Sequence, residues 1–391
     1  MTDVDGRRML DLSMGFGAML AGHLNPIVTE EIRNSLDEGM LFVMPSPISR
    51  DAAERICKRF NIDQVRFANS GTEAVMYAIR TARAYTGKDA IVKVEGGYHG
   101  SSESVTVSTK PALDVAGPAY APNAVASKGT TPGKVHVVPF NDLGALKHVF
   151  ELYSDEIACF IVEPVLENLG IVLPDDGYLG GVGQLAKKYG AVWIIDETHT
   201  ISVGPGGMTK QLNLQPDFLT IGKAIGGGLP VGTFGMSEKI SGEIAKKVER
   251  EVIDTGGIGG TLAGNALSLA AMRATLNEVL TEAAFEKMIP LGNLWCDGVD
   301  QAIKKYELPW YCSRLGARGE YLFRASAPKT GKEAMLASDF ELEQYIHLRL
   351  LNDGFLLTPF HNMALISPQT TEADVLAHTK AFDVMCAELV S

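Results

Sequence analysis

Short apolar runs alternate with longer segments of helical periodicity through the first two thirds of the chain. The periodic segments, such as Thr72–Tyr85 and Gly181–Tyr189, predict helices. The apolar runs predict buried strands at Val65–Ala68, Ala90–Val94, Val135–Val138, Cys159–Val162, Val192–Ile195 and Phe218–Ile221. Apolar strands separated by helices are typical of a mainly parallel sheet covered on both faces. We therefore expect an α/β core from about residue 53 to about residue 245.

The pattern changes near residue 265, beyond which strands and helices no longer alternate regularly. The elements predicted there are helices at Leu267–Leu280, Glu282–Tyr306, Glu341–Asn352 and Glu372–Leu389, and strands at Leu322–Ala325, Phe355–Thr358 and Ala364–Ser367. This α+β layout predicts a smaller C-terminal domain at residues 275–391. Residues 53–274 form the predicted large domain, and residues 1–52 are expected to pack with the small one. Lys110–Gly133, rich in Pro, Ala and Gly, predicts a long loop that has a function.

Composition and charge exclude several classes of protein. The chain has 391 residues, of which 46% are hydrophobic and 21% charged, as is typical of a globular protein of two or three domains. A net charge of −12 disfavours nucleic acid as a partner. The five cysteines are widely spaced without a C-x-x-C pair, so we expect neither a disulfide framework nor a metal site. No signal peptide and no apolar run of about 18 residues is present, which predicts a cytoplasmic protein without a membrane segment.

Residues suited to ligand binding follow two of the predicted strands. Ligands of open α/β sheets bind at the carboxyl ends of the strands. Ser70-Gly71-Thr72 follows the first strand and leads into a helix, where free N–H groups and the helix dipole suit a phosphate. A plain N-cap explains this turn equally well. Asp196-Glu197 follows the fifth strand, and by itself is compatible with an N-cap, a metal ligand or a partner of a cofactor.

Lys223 follows the sixth predicted strand, between Gly222 and the glycines at 226–228. Burial lowers the pKa of a lysine amine, and a neutral amine is what Schiff-base chemistry requires. The alternative is a solvated loop lysine. A phosphate cradle, a buried acid and a Schiff-base lysine at the strand ends of one sheet are together what pyridoxal phosphate requires.

These motifs, in this order, resemble those of fold-type I, class III aminotransferases, close to the glutamate-1-semialdehyde aminomutase group. The resemblance runs from the Asp3-Val4-Asp5-Gly6 segment to the C-terminal helix. It implies pyridoxal 5′-phosphate as the cofactor, held as a Schiff base by Lys223, with Asp196 on its pyridine nitrogen. It also implies that the cofactor's phosphate is bound by Ser70, Gly71 and Thr72.

Three further segments carry roles that the resemblance implies. Tyr98, in the segment Glu95–Gly100, would cover the cofactor, with a core tyrosine as the alternative. Asn168, which follows Glu163-Pro164-Val165, would approach the cofactor's 3-hydroxyl, while Glu163 steadies the site. Thr261, in Gly260–Asn265, would reach the phosphate of the partner subunit, which implies a homodimer with shared active sites. We expect the Thr261 segment to open a helix.

The chain departs from the usual family pattern after the Asp-Glu pair and also at its N-terminal segment. Thr198-His199 follows the Asp-Glu pair, and with Leu357–Met363 it resembles the branch that contains β-amino-acid (β-phenylalanine) aminotransferases. His199 and His361 are therefore candidate substrate residues, although His199 would also fit as a residue packed beside the ring.

A substrate carboxylate calls for an arginine, whose planar fork matches it. The arginine that relatives often carry before the Asp3–Gly6 segment has no equivalent here. The candidates are Arg318 first, then Arg314 and Arg324, with a surface position as the alternative for each.

The function predicted from the sequence is amino-group transfer, by a ping-pong Schiff-base mechanism, from an amino acid (including a β-amino acid) or an amine to a 2-oxo acid. Lys223 would act as the base that moves the proton. Two alternatives stay open: an isomerase of the glutamate-1-semialdehyde 2,1-aminomutase type, and a non-catalytic protein of the same fold.

Overall fold

The computed structural model describes residues 1–42, 44–111, 130–131, 133–246 and 257–391. Most of the loop predicted at Lys110–Gly133 lies outside these described residues. Within them, no helix combines the length and the apolar character needed to cross a membrane.

A seven-stranded sheet lies at the centre of the described part of the chain, in the order β2-β8-β7-β6-β5-β3-β4. Its strands are β2 (Gln64–Ala68), β3 (Ala90–Val94), β4 (Val135–Val138), β5 (Ile157–Val162), β6 (Val192–Asp196), β7 (Phe218–Ile221) and β8 (Gly232–Met236). Strands β7, β6, β5, β3 and β4 run parallel, whereas β8 is antiparallel to both of its neighbours. The mainly parallel α/β sheet predicted from the sequence is confirmed.

Strand β8 was not predicted, because two glycines interrupt its apolar pattern. A Cβ atom at Gly232 would lie 2.2 Å from the carbonyl oxygen of Ser70, and one at Gly235 would lie 2.8 Å from Ile62. Glycine therefore stands where neighbouring atoms approach most closely, although it is a poor strand former.

Helices cover both faces of this sheet. The helices in this part of the chain are α3 (Gly71–Thr86), α4 (Leu143–Tyr153), α5 (Tyr178–Tyr189), α6 (Gly207–Gln211), α7 (Glu238–Ala245) and α8 (Ala266–Ala274), of which α3, α4 and α5 contact the strands directly. On β5, Phe160 and Val162 pack into one hydrophobic cluster, while Cys159 and Ile161 pack into the cluster on the opposite face. Because both faces are buried, the strand reads as a continuous apolar run rather than an alternating one.

The C-terminal region adds a small antiparallel sheet and more helices. Its elements are α9 (Glu282–Lys305), β9 (Tyr311–Leu315), β10 (Arg318–Leu322), α10 (Gly331–Met335), α11 (Phe340–Asn352), β11 (Phe355–Leu356), β12 (Met363–Leu365) and α12 (Glu372–Leu389). The sheet order is β12-β10-β9.

Two predictions for the C-terminal region were wrong. The strand predicted at Leu322–Ala325 ends at Leu322, because the buried stretch starts at Arg318, whose charge hid it in the sequence. The helix predicted to run to Leu280 ends at Ala274 and continues as a π-helical turn over Thr275–Val279.

The N-terminal residues contact both other parts of the chain. Strand β1 (Leu10–Asp11) pairs in parallel with β11, as expected for a segment that packs with the small domain. Helices α1 (Pro26–Glu38) and α2 (Pro47–Phe60) pack against α8 instead. The domain boundaries themselves stay a prediction.

Candidate active site

Three chain segments meet at one edge of the central sheet. Asp196 is the last residue of β6, Lys223 follows β7, and the Ser70–Thr72 turn follows β2. A Cβ atom added to Gly222 would lie 2.9 Å from both Cα and N of Gly71. The two loops therefore touch at a point where only glycine fits, and this contact brings the lysine loop to the start of α3.

The turn before α3 combines a helix cap with free backbone donors. The Ser70 hydroxyl accepts a hydrogen bond from the Glu73 N–H at 3.1 Å, so its side chain caps the helix. Thr72 Oγ1 accepts the N–H of Ser101 at 3.2 Å, which brings the loop that carries Tyr98 over the helix start. The first N–H groups of a helix and its dipole favour an anion here.

Asp196 is buried and held on both carboxylate oxygens. Oδ1 accepts from the N–H of Thr198 at 3.1 Å and from its hydroxyl at 2.7 Å. Oδ2 lies 3.0 Å from Nδ1 of His99, whose pKa is lowered by burial. Sequence reasoning missed His99, although it directly follows Tyr98 in a segment that had been singled out. The two partners fix the orientation of this carboxylate at the end of β6.

Glu197, the neighbour of Asp196, binds groups of the protein backbone and of nearby threonines. Its buried carboxylate accepts from the hydroxyl groups of Thr200 and Thr209 and from the N–H groups of Met208 and Thr209. Burial raises its pKa, and these hydrogen bonds oppose that effect. Glu197 thus anchors the loop after β6 to the start of α6.

The Lys223 amine is one end of a line of three titratable side chains that contact one another. Its Nζ contacts Nε2 of His199, and Nδ1 of His199 lies 3.1 Å from Oε2 of Glu163. The other carboxylate oxygen of Glu163 accepts the Tyr98 N–H at 2.9 Å. Burial is the first cause that lowers the pKa of Lys223, and the positive charge of Arg318 is the second. The amine is thereby shifted toward the neutral, nucleophilic form.

Arg318 lies beside this chain but already has partners. Its guanidinium pairs with the buried Glu167 and donates at 3.2 Å to the backbone oxygen of His199. Burial raises the pKa of Glu167 to about 7. A substrate carboxylate would therefore compete with Glu167, which sequence reasoning had not considered.

The other candidate arginines and His361 are also paired. Arg314 binds Asp297 and Asp300 at 2.7 and 2.6 Å, and Arg324 pairs with Glu333 at 3.3 Å. Nδ1 of His361 lies 3.0 Å from Glu320. His361 contributes to the electrostatics around Lys223 through its effect on His199.

Three further residues were predicted from the sequence to bind the cofactor, namely Tyr98, Asn168 and Thr261. Tyr98 is 38% exposed, and Asn168 is half-buried in a bridge with Gly170. Thr261 is exposed in a turn, and its segment opens a helix only through its last residue, Asn265, which is the N-cap. Helix α8 begins only at Ala266, with the Asn265 side chain accepting the Ser268 N–H at 2.8 Å.

A buried lysine supports the loop of Tyr98 and His99 from behind. Nζ of Lys93 donates to the backbone oxygens of Gly97 and Val107 at 2.8 and 2.7 Å. Burial lowers its pKa to about 7. Its position inside β3, among apolar residues, gave no sequence signal for this role.

Comparisons with known proteins agree with this architecture. The family model described as aminotransferase class-III matches residues 1–380. A glutamate-1-semialdehyde 2,1-aminomutase of Anaeromyxobacter sp. (strain Fw109-5) is 35% identical, over 99% of this chain and 88% of its own length.

Two solved structures extend the likeness to the fold. A variant glutamate-1-semialdehyde aminomutase of Pseudomonas aeruginosa PAO1 in complex with PMP aligns with a TM-score of 0.91 at 35% identity, covering 100% of this chain and 86% of its own. A β-phenylalanine aminotransferase of Variovorax paradoxus aligns with a TM-score of 0.85 at 26% identity, covering 99% and 85%.

Proposed function

Since the chain belongs to the class III aminotransferase family, we propose that it moves the amino group of a small amino acid at a site centred on Lys223. The fold is that of the fold-type I enzymes, and the cofactor is pyridoxal 5′-phosphate. The observation that carries the proposed site is the contact of the Lys223 amine with His199, close to the carboxylates of Glu163 and Asp196.

The residues of this site fit the cofactor. Gly71 and Thr72, at the start of α3, would hold its phosphate, and Ser70 would shape the turn through its cap. Asp196, oriented by His99 and Thr198, would face the pyridine nitrogen.

The Lys223 amine would hold the aldehyde of the cofactor. When bound, pyridoxal phosphate supplies an electron-accepting ring and an aldehyde that takes up the amino group.

The protein's own groups supply the rest of the chemistry. Lys223, once free of the cofactor, would move a proton at the substrate carbon, since burial lowers its pKa and so favours the neutral amine that acts as a base. An ionised Asp196 would keep the pyridine nitrogen protonated, since a buried carboxylate and a cation stabilise each other. Tyr98 would cover the ring from the loop that Lys93 and Glu163 support.

For the finer reaction, we propose an isomerase of the aminomutase type, which returns the amino group to the same molecule. This is supported by the aminomutases that are 35% identical over nearly the whole chain. The sequence had placed intermolecular transfer first, and that reaction is the second candidate. It is supported by the structural likeness to the β-phenylalanine aminotransferase.

Nitrogen-15 labelling separates the two candidates. Labelled glutamate-1-semialdehyde is given to the cofactor-loaded protein without any 2-oxo acid. An aminomutase should produce a labelled isomer and release no product that has lost its nitrogen. If turnover requires an added 2-oxo acid, and the label moves to that acid, the enzyme is an aminotransferase. Absence of turnover in both assays, with a range of amino donors, would favour a non-catalytic protein of the same fold.

A further inference from the structure

The side chains of Glu163, His199 and Lys223 form a continuous line of contacts. Both ring nitrogens of His199 are engaged, Nδ1 with Glu163 at 3.1 Å and Nε2 with the Lys223 amine. Glu163 is fixed in turn by the N–H of Tyr98, which reaches its second oxygen at 2.9 Å. The imidazole thus bridges an acid and an amine, and rotation of the ring would break both contacts.

An imidazole held in this way passes a proton without acquiring a charge itself. In one arrangement Glu163 is ionised, His199 carries its proton on Nδ1, and Lys223 is an ammonium. In the other, Glu163 is a carboxylic acid, His199 carries its proton on Nε2, and Lys223 is a neutral amine. The conversion breaks an N–H bond of Lys223 and forms Nε2–H, while Nδ1–H breaks and an O–H bond forms on Glu163. The total charge of the three groups stays the same.

We infer that Glu163 and His199 form an internal proton relay, which takes the proton from the Lys223 ammonium and leaves a neutral amine. His199 is a catalytic residue in this scheme, because it touches the reacting nitrogen. Glu163 is a positioning residue and proton store that acts through His199. The inference rests on the proposed function, in which Lys223 holds the cofactor.

The surroundings of all three groups favour the uncharged arrangement. Burial is the first cause of each shift: it raises the pKa of Glu163 well above its usual range, and lowers the pKa of His199 and of Lys223. An ion pair buried in protein loses hydration that its mutual attraction has to offset, which the relay avoids by neutralising both ends.

Charged groups on several neighbouring elements act in addition to burial. The positive charge of Arg318 on β10 lowers the pKa of both Lys223 and His199. Within the described part of the chain, the other groups that face these three side chains are Lys93 on β3, His99 after β3, Glu167 in the segment after β5, Asp196 at the end of β6 and His361 before β12.

The test measures how fast the cofactor-free, full-length protein takes up pyridoxal phosphate between acid and alkaline pH, followed by absorbance. Above the pKa of Lys223 the amine is already neutral, so no relay is needed. We therefore expect His199→Gln, His199→Phe and Glu163→Gln to match the wild type at alkaline pH. Around neutral pH, where the wild-type pair shares a single proton and Glu163 can keep it, the variants should fall behind by a factor on the order of 10², the lower end of typical acid–base effects.

A matched control removes a histidine–carboxylate pair elsewhere. Nε2 of His23 lies 2.7 Å from Asp11, in the N-terminal region. His23→Gln should follow the wild type at every pH. Circular dichroism and melting curves identify any variant that fails to fold, and the isosteric Glu163→Gln substitution keeps the experiment informative if His199→Phe does not fold.

Infrared spectroscopy tests the acceptor directly. The cofactor-free protein at neutral pH should show the carbonyl band of a protonated carboxyl group that Glu163→Gln removes. If no such band exists, Glu163 does not hold the proton and the relay is overturned. It is equally overturned if uptake by the His199 variants is unchanged, or slowed by one factor at every pH, as a packing role would produce.

Borohydride trapping with peptide mapping separates failure of the relay from failure of the proposed function. Trapping of the cofactor on Lys223 together with pH-independent rates contradicts the relay alone. Trapping on another lysine contradicts the proposed function, and the relay with it.

Discussion

At the scale of single residues, the backbone of Lys223 is itself unusual. Its φ of 48° lies in the left-handed region, which non-glycine residues seldom adopt and which recurs at functional sites. We expect Lys223→Ala to abolish activity and leave the melting temperature near that of the wild type. Borohydride should attach the cofactor to a peptide that contains Lys223, and the exposed Lys239→Ala variant serves as the control. Labelling of a different lysine would contradict the assignment.

The other residue-scale prediction concerns Asp196. Asp196→Asn should retain pyridoxal phosphate but slow turnover by a factor on the order of 10²–10³, since a neutral amide does not keep the pyridine nitrogen protonated. Asp217→Asn is a suitable control, because this partly buried acid precedes β7, at the opposite end of the sheet. Steady-state rates of the two variants test this role of Asp196. Turnover of Asp196→Asn near that of the wild type would show that Asp196 serves only to hold Thr198 and His99 in place.

At the scale of elements, the contact between the loop after β7 and the start of α3 depends on glycine. A Cβ at Gly222 would meet the Gly71 backbone at 2.9 Å, so Gly222→Ala must push the lysine loop away from the phosphate turn. We expect cofactor affinity to fall about tenfold or more, because overpacking typically costs about 1–3 kcal/mol. Gly242→Ala, on α7 with open space around the added methyl, should retain affinity. Equal affinities in an equilibrium titration would refute the close approach.

In addition to its apolar contacts, helix α2 is tied to the rest of the chain by one half-buried arginine. The guanidinium of Arg59 donates to the backbone oxygens of Pro205, Leu276 and Leu280, and burial lowers its pKa to about 10. Arg59→Ala would leave these acceptors without their partner, which should lower the free energy of unfolding by roughly 2–4 kcal/mol. Denaturant unfolding of Arg59→Ala and of the exposed Arg55→Ala provides the comparison. Equal midpoints would show that α2 is held by its apolar contacts alone.

At the scale of the whole molecule, we expect a homodimer in which Thr261 of one subunit approaches the phosphate site of the other. Thr261 and Leu262 are both exposed in the single chain, as is expected of residues that a second subunit would cover. A phosphate bound across the interface stabilises the dimer by mass action. Thr261→Val should therefore lose pyridoxal phosphate more readily at low protein concentration than at high. A light-scattering mass of one chain, with the cofactor bound and activity intact, would contradict this.

The sequence by itself was sufficient for six of the seven strands of the central sheet, for the family and for the strand ends where chemistry is expected. Each of these depends on local information. Strands β5 and β6 are buried on both faces, so every residue in them faces the core and each strand can be recognised from its own apolar run. Asp196 and Lys223 directly follow such runs, and their positions could be inferred without knowing which strands are neighbours.

Only the tertiary structure decided which groups meet at the site. Glu163 and His199 are separated by 36 positions along the chain, and Asp196 and His99 by 97, yet each pair is in hydrogen-bonding contact. Spacing along a sequence does not encode such pairs, because the order of strands in the sheet determines which loops adjoin. For the same reason, Arg318 appeared available for a substrate carboxylate until the fold placed Glu167 against it. The partners of a buried charge depend on which distant segments are packed around it.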